Sequence, residues 1–239
     1  MSDYFKQQHI PPFVKNLFIG KFDKSLLSYA EVLNDKSFLQ LEEKVNSISD
    51  YLKKNQTLID KIDKTSKIHP DLVTNLQKSG LFGMSVPSSS QGSALLYTEI
   101  ARIYEELGVS LALSDLICTN ESLGVSALLT GWTNQMKEKY QDSISSGACK
   151  VAWCLSEQNC GSDPSGVVME AKMADDSEHY ILNGIKTWVS NANNSQLLLV
   201  FASTKITDDK SGITCFVVDR SKYSENIRLS EPYKLDAFR

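Results

Sequence analysis

Leu41, Val45, Ile48 and Leu52 recur at helical spacing, with Glu42, Glu43, Lys53 and Lys54 set off that stripe, which predicts an amphipathic helix. Pro70 suits a first helical turn, Leu72 and Leu76 share one face, and Lys78 and Gly80 supply a stop, so a short second helix is expected. The Pro-, Ser- and Gly-rich stretch from Val86 to Gly92 reads as a loop. Ile100, Ile103, Tyr104 and Leu107 mark a third helix closed by Gly108. From Val109 to Leu129 the apolar residues spread around most of the circumference, the pattern of a central helix surrounded by others. Thr133 can cap one further helix through Tyr140, so residues 1–147 read as an all-helical domain.

The period then changes from helical to alternating. Val151 to Leu155, Val167 to Met173, Tyr180 to Leu182, Ile185 to Val189, Leu197 to Ala202 and Ile213 to Val218 are short, rich in β-branched or aromatic residues, and read as strands. Asn183-Gly184 fits the positive φ angles of a type I′ turn and predicts a hairpin between two of them. The expected fold class is therefore α+β: an all-α domain, residues 1–147, followed by an antiparallel, barrel-like but incomplete β domain, residues 148–239.

Composition narrows the function classes. The chain has 239 residues, 41% of them hydrophobic, enough for a sizeable core. Its net charge of −4, with 25 basic and 29 acidic side chains and no long single-sign run, gives no electrostatic footprint for nucleic acid. Five cysteines (Cys118, Cys149, Cys154, Cys160 and Cys215) form no C-x-x-C pair or metal-ligand spacing and read as reduced thiols of an intracellular protein. No apolar run is long enough for a transmembrane segment, and Met1 to Gln8 resembles neither a secretory signal nor a transit peptide.

Two stretches combine strand ends, small polar residues and a large aromatic: Val151 to Asp163 (VAWCLSEQNCGSD) and Tyr180 to Asn191 (YILNGIKTWVSN). In order, spacing and context they resemble the paired flavin-contacting signatures of the acyl-CoA dehydrogenase family, C-[LV]-[ST]-E-P-x-A-G-S-D and Y-x-[LI]-N-G-x-K-x-W-[IV]-[ST]-N. The turn Gly80 to Pro87 (GLFGMSVP) and the helix Gln135 to Tyr140 (QMKEKY) are similar to further family segments, and Phe13 to Gly20 (FVKNLFIG) resembles the start of its very-long-chain branch.

The resemblance implies FAD as cofactor, and physics gives these residue types a reason. A flavin edge needs donors that stabilise the electron density gained on reduction, which backbone amides and a Ser hydroxyl at a strand end supply; Leu155 and Ser156 are the candidates for its pyrimidine edge and hydride-accepting nitrogen. Gly161 lets backbone approach a pyrophosphate, and Ser162 can bond its oxygens or a neighbouring acyl-CoA substrate. Trp188 offers a flat wall for the isoalloxazine, Val189 and Ser190 complete it, and the resemblance sets Trp153 against flavin or acyl chain. Taken singly, both tryptophans read as core aromatics, Gly161-Ser162-Asp163 as a turn, and Glu157 and Asp163 as local turn or capping groups. His9, His69 and His179 are isolated from both stretches and receive no catalytic role.

The chain departs from the family where Gln158, Asn159 and Cys160 replace Pro and small residues, which removes a rigid element from that turn. The Val86 to Gly92 loop lacks the usual E-Y-G-G-x-G, and Asn120-Glu121 stands where a His-Gln pair is common in this branch. Lys234-Leu235 resembles the K-L-G-x-R strand entry, beyond which the family continues into a helical bundle carrying the proton-abstracting Glu, much of a homo-oligomer interface and contacts to the adenosine half of FAD. No residue here is assigned as catalytic. The expectation is an FAD-dependent acyl-CoA dehydrogenase of fatty acid β-oxidation, mitochondrial by resemblance, present as a fragment or truncated form. Its implied partners are fatty acyl-CoA and electron-transferring flavoprotein. The alternative is a catalytically inactive paralogue serving binding or assembly.

Overall fold

The computed structural model describes residues 13–22, 24, 32–65, 67–207 and 210–233; Met1 to Gln8, His9 and Lys234-Leu235 lie outside them. The chain divides into a short N-terminal unit, Met1–Glu43, and a main unit, Lys44–Arg239. Helix α1 (Phe13–Phe18) belongs to the first, and the Asn34 carboxamide caps the next helix, α2 (Asp35–Lys54), by accepting the Ser37 amide at 3.0 Å. In the main unit Val45, Ile48 and Leu52 are buried, as their spacing predicts. Helix α3 (Gln56–Thr65), which the sequence reading does not anticipate, starts directly after Asn55 and buries Ile59 and Ile62.

Helix α4 (Pro70–Lys78) begins at the expected proline and is capped by the His69 ring, which accepts the Asp71 amide at 3.2 Å. It ends in a Schellman motif: the Gly80 amide donates to the Gln77 carbonyl (2.9 Å) and the Leu81 amide to the Leu76 carbonyl (3.2 Å), while Leu76 and Leu81 are both fully buried. Helix α5 (Tyr97–Leu107) buries Ile100, Ile103 and Leu107. Thr133 caps α8 (Asn134–Ser145), which runs past Tyr140.

The central helix is present but not uniform. It consists of α6 (Leu111–Cys118), a π-helical segment (Thr119–Val125) and α7 (Ser126–Thr130). The wide turn carries Asn120 and Glu121, 0% and 2% exposed, into the interior. There the Asn120 side-chain oxygen accepts the Val151 amide (2.9 Å), while the Glu121 carboxylate accepts the amides of Gly83 (3.0 Å) and Met84 (2.8 Å). Two adjacent buried polar residues thus join the helix to the first strand on one side and to the Gly80–Pro87 turn on the other.

The strands are β1 (Val151–Cys154), β2 (Glu170–Met173), β3 (Tyr180–Asn183), β4 (Leu197–Thr207) and β5 (Lys210–Asp219). Strand β4 is the spine: β5 pairs antiparallel along one edge, and β1 and β2 pair parallel to successive stretches of the other, with Cys154 opposite Val200 and Glu170 opposite Ser203. The α+β class is as expected, but the sheet is mixed and open, not uniformly antiparallel. Alternation splits its faces. Val151, Leu197 and Leu199 join Val125, Leu128 and Ile144 in a core against the helices, while Ala152, Cys154, Leu198 and Val200 form the other face with Val189 packed on them.

The expected hairpin at Asn183-Gly184 is absent, and Ile185 to Val189 is not a strand. Strand β3 pairs with β2 through a turn in which the Ala174 amide donates to the His179 carbonyl (2.8 Å). Asn183 lacks the positive φ of a type I′ turn, and Gly184 is required instead for close approach, since a Cβ there would lie 2.5 Å from Met169 Cγ.

One cluster clamps α8 to the end of β5. Asp219 accepts from Lys139 Nζ (2.9 Å), Tyr140 Oη (2.8 Å) and Ser221 Oγ (2.6 Å). Burial would raise the Asp219 carboxyl, but these donors outweigh it and hold it well below the usual carboxylate range. The folded state therefore binds this proton more weakly than the unfolded chain, so the stabilisation is present above the unfolded value and is lost as pH falls through the folded one. Asp219→Asn is expected to lose less of its melting temperature than the parent between about pH 6 and about pH 3; equal losses in thermal melts would count against the clamp.

Candidate functional site

Strand β1 ends at Cys154 and delivers Leu155 and Ser156 to the start of a tight turn. That turn is closed by reciprocal backbone bonds between Glu157 and Cys160 (2.9 and 3.1 Å), so the segment keeps its closure without the proline. The second conspicuous stretch runs alongside it. The Thr187 amide donates to the Ser156 carbonyl at 2.9 Å, and Lys186 Nζ donates to the Leu155 carbonyl (2.9 Å) and the Glu157 carboxylate (2.6 Å). The Lys186 and Glu157 side chains are only 8% and 5% exposed.

Glu157 is not the local cap its sequence context predicts. Its carboxylate also accepts the amides of Val168 (2.8 Å) and Met169 (3.0 Å), so it fastens the far end of the excursion as well as the lysine. Burial would push this carboxyl up; Lys186 and the two amides overcome that and hold it below the ordinary glutamate value. Asp163 does behave as a local group, accepting the amide and hydroxyl of Ser165 (2.9 and 2.7 Å). His69 caps a helix, and His179, which directly precedes the second stretch, bonds Asp176 at 2.6 Å, so both make local contacts.

The candidate residues fall into three places. Leu155 and Ser156 lie at the β1 end, bonded through their carbonyls to Lys186 and Thr187, and the Ser156 hydroxyl has no hydrogen-bond partner among the described residues. Gly161 and Ser162 lie exposed on the following turn; a Cβ on Gly161 would meet nothing within 4 Å, and among the described residues the Ser162 hydroxyl has no partner either. Trp188, with φ +58°, is 61% exposed, and its indole lies tilted by 32° against the Tyr233 ring with centroids 4.6 Å apart. Val189 packs on the sheet face made by Ala152, Cys154, Leu198 and Val200. Trp153 points to the opposite face, against Phe201 at 4.4 Å in the helix-facing core, and so is not brought to the Trp188 edge.

The end of the second stretch docks on the central helix. Ser190 Oγ donates to Asp115 at 3.4 Å, and Asn191 Nδ2 donates to the Leu116 carbonyl (3.0 Å) and Thr119 Oγ1 (3.1 Å). Burial raises the Asp115 carboxyl, with the Ser190 bond opposing. Asp115 and Asn191 also line a cleft of about 720 Å³ with Pro70, Val73, Gln77 and Lys150. Sequence reasoning missed Asp115, Thr119, Lys186 and Thr187; a lysine set between Ile185 and Thr187, two residues before Trp188, was the one visible signal.

Chemically, this edge offers an exposed indole, uncommitted hydroxyls and open backbone at Gly161, a set suited to holding a planar polar ring and an anionic tail. Burial pushes the thiols of Cys149 to about 11 and Cys154 to about 12, so neither supplies a thiolate nucleophile near neutrality. Among the described residues no group of side chains could hold a metal, and no helix is long and apolar enough to cross a membrane.

Helices are followed by this open mixed sheet with two joined segments at its edge, and the acyl-CoA dehydrogenase family models for the N-terminal domain and the middle domain match residues 41–148 and 152–236; the chain belongs to that family. It is similar to the mitochondrial very long-chain specific acyl-CoA dehydrogenase of Rattus norvegicus, 33% identical over 87% of this chain and 33% of the relative. The chain thus spans about a third of the length of that relative. Among solved structures, butyryl-CoA dehydrogenase from Megasphaera elsdenii shares the fold with a TM-score of 0.69 at 24% identity, over 80% of this chain and 50% of that one. An acyl-CoA dehydrogenase complexed with FAD from Bacillus anthracis matches with a TM-score of 0.68 at 21% identity, over 76% and 30%.

Proposed function

We propose that this chain forms the flavin-facing part of an FAD-dependent enzyme that dehydrogenates fatty acyl-CoA between its α and β carbons, handing electrons on to electron-transferring flavoprotein, in mitochondria. The observation that carries the reading is the Thr187 amide bonded to the Ser156 carbonyl, which sets the two signatures side by side with the Trp188 indole exposed. Division into a helical domain, 1–147, and a flavin-facing domain, 148–239, belongs to the same reading and is supported by family-model matches on either side.

The residues present fit FAD. Leu155 and Ser156 would bond the pyrimidine edge, Gly161 and Ser162 would receive the pyrophosphate, and Trp188, Val189 and Ser190 would wall the ring. The chemistry supplied by bound FAD is acceptance of a hydride from the substrate β-carbon. The chain's own part is to bind, orient and keep water from that edge; the base for the α-proton is assigned to no residue here. Trp153, on the helix-facing side, would line the acyl chain rather than the ring.

Titration of the purified chain with FAD, followed by flavin fluorescence, is expected to give saturable binding. Trp188→Ala should weaken it by about tenfold, the equivalent of roughly 1.4 kcal/mol. Absence of saturable binding by the parent chain, or full affinity in Trp188→Ala, would remove the flavin reading.

A further inference from the structure

The geometry points to the Glu157–Lys186 pair as the positioning device of this edge: the lysine sets the second segment against the first, and the glutamate transmits that register to the returning chain at Val168 and Met169. Lys186 Nζ reaches across 29 residues to Glu157 and 31 to Leu155, whereas the Glu157 carboxylate reaches 11 and 12 residues to Val168 and Met169. One buried cation and one buried anion therefore connect three stretches of chain, two of which also meet through the Thr187–Ser156 bond. Neither side chain needs to touch the bound ring; both act through the backbone of Leu155, Ser156 and Thr187.

The device is needed because residues 184–190 have no ladder of their own. They belong to no strand, Trp188 sits at positive φ, and the buried Thr187 hydroxyl has no partner among the described residues, so backbone pairing alone does not fix them. A buried ion pair is a poor source of net stability, because desolvation offsets its attraction, but it specifies which backbone conformation is occupied. Removing one partner strands a buried charge. Removing both does not, and that separates register from fold.

The test is hydrogen exchange, residue by residue, on the full chain carrying Glu157→Gln and Lys186→Met together. The Thr187 amide is expected to exchange at least about tenfold faster than in the parent, while amides of β4 and β5 stay within about twofold. Lys186→Met alone, which leaves the carboxylate on its two amides, should free Thr187 but keep Val168 and Met169 protected. Parent-like exchange at Thr187, equal acceleration across β4 and β5, or equal loss at Thr187 and Val168 in the single variant would each overturn the assignment.

In its flavin arm the inference rests on the proposed function: the double variant should bind FAD about tenfold more weakly. An undiminished FAD affinity beside a freed Thr187 would overturn the positioning role. If the parent itself binds no FAD, the flavin reading falls and the exchange result still decides the role of the pair.

Discussion

Replacing Glu121 by alanine is expected to destabilise the folded chain by about 3–5 kcal/mol, read as a lowered urea midpoint with an unchanged denaturant slope. The carboxylate accepts the amides of Gly83 and Met84 and the Asn120 side chain, all inside the protein. Alanine leaves each donor without an acceptor, at about 1–3 kcal/mol apiece before any cavity term. A loss below about 1 kcal/mol would show that water or a local shift replaces the carboxylate. Glu121→Gln keeps one acceptor and should cost less.

That variant also isolates a pH effect of opposite sign to Asp219. Burial raises the Glu121 carboxyl above its ordinary value, against the pull of the Gly83 and Met84 amides and of Asn120. The folded state holds this proton more tightly than the unfolded chain, so the favourable contribution is complete below the unfolded value and fades as pH rises through the folded one. The stability advantage of Glu121 over glutamine should therefore be larger at about pH 4 than at about pH 7; a gap that widens with pH reverses the sign.

The second large effect lies in the same turn. Gly83→Ala places a Cβ 2.6 Å from Ser145 Cα and its carbonyl oxygen while holding φ at +68°. The left-handed backbone alone costs an alanine about 1–2 kcal/mol, and the obstacle is backbone that cannot swing aside, so a total above about 3 kcal/mol is expected. Gly80→Ala is the internal comparison. Its φ is +66°, but the nearest obstacle is the tip of Lys44 at 3.3 Å, an ammonium bonded to the Gly80 carbonyl (3.1 Å) that can shift at the end of its side chain. Only the left-handed term applies, about 1 kcal/mol. Similar melting temperatures for the two variants would mean that the Ser145 backbone yields.

Helices with a single apolar stripe were legible because burial of one face writes its period into the chain: Leu72 and Leu76 predict α4, and Ile100, Ile103 and Leu107 predict α5. The central helix was legible as buried, but an all-round apolar pattern carries no phase, so nothing announced the π-helical turn at Asn120 and Glu121. Asn183-Gly184 misled because its glycine answers to Met169, a contact made only after folding. In the site, the two stretches could be recognised by their residue types. The buried reach from Glu157 to Lys186 could not, since a carboxylate beside a turn looks the same in sequence whether it caps its neighbours or crosses to another segment.

Strand β4 lends one edge to both β1 and β2, with Cys154 opposite Val200 and Glu170 opposite Ser203. The chain thus departs and returns at points about 10 Å apart along a single rail, at roughly 3.3 Å per residue. Everything between is an excursion with fixed feet, and lengthening such a loop is thermodynamically mild, about 0.6 kcal/mol per doubling. Gln158 and Asn159, exposed within that excursion, can accordingly be exchanged while the rail stays in step, which makes this corner of the molecule a place where recognition can diverge without renegotiating the scaffold.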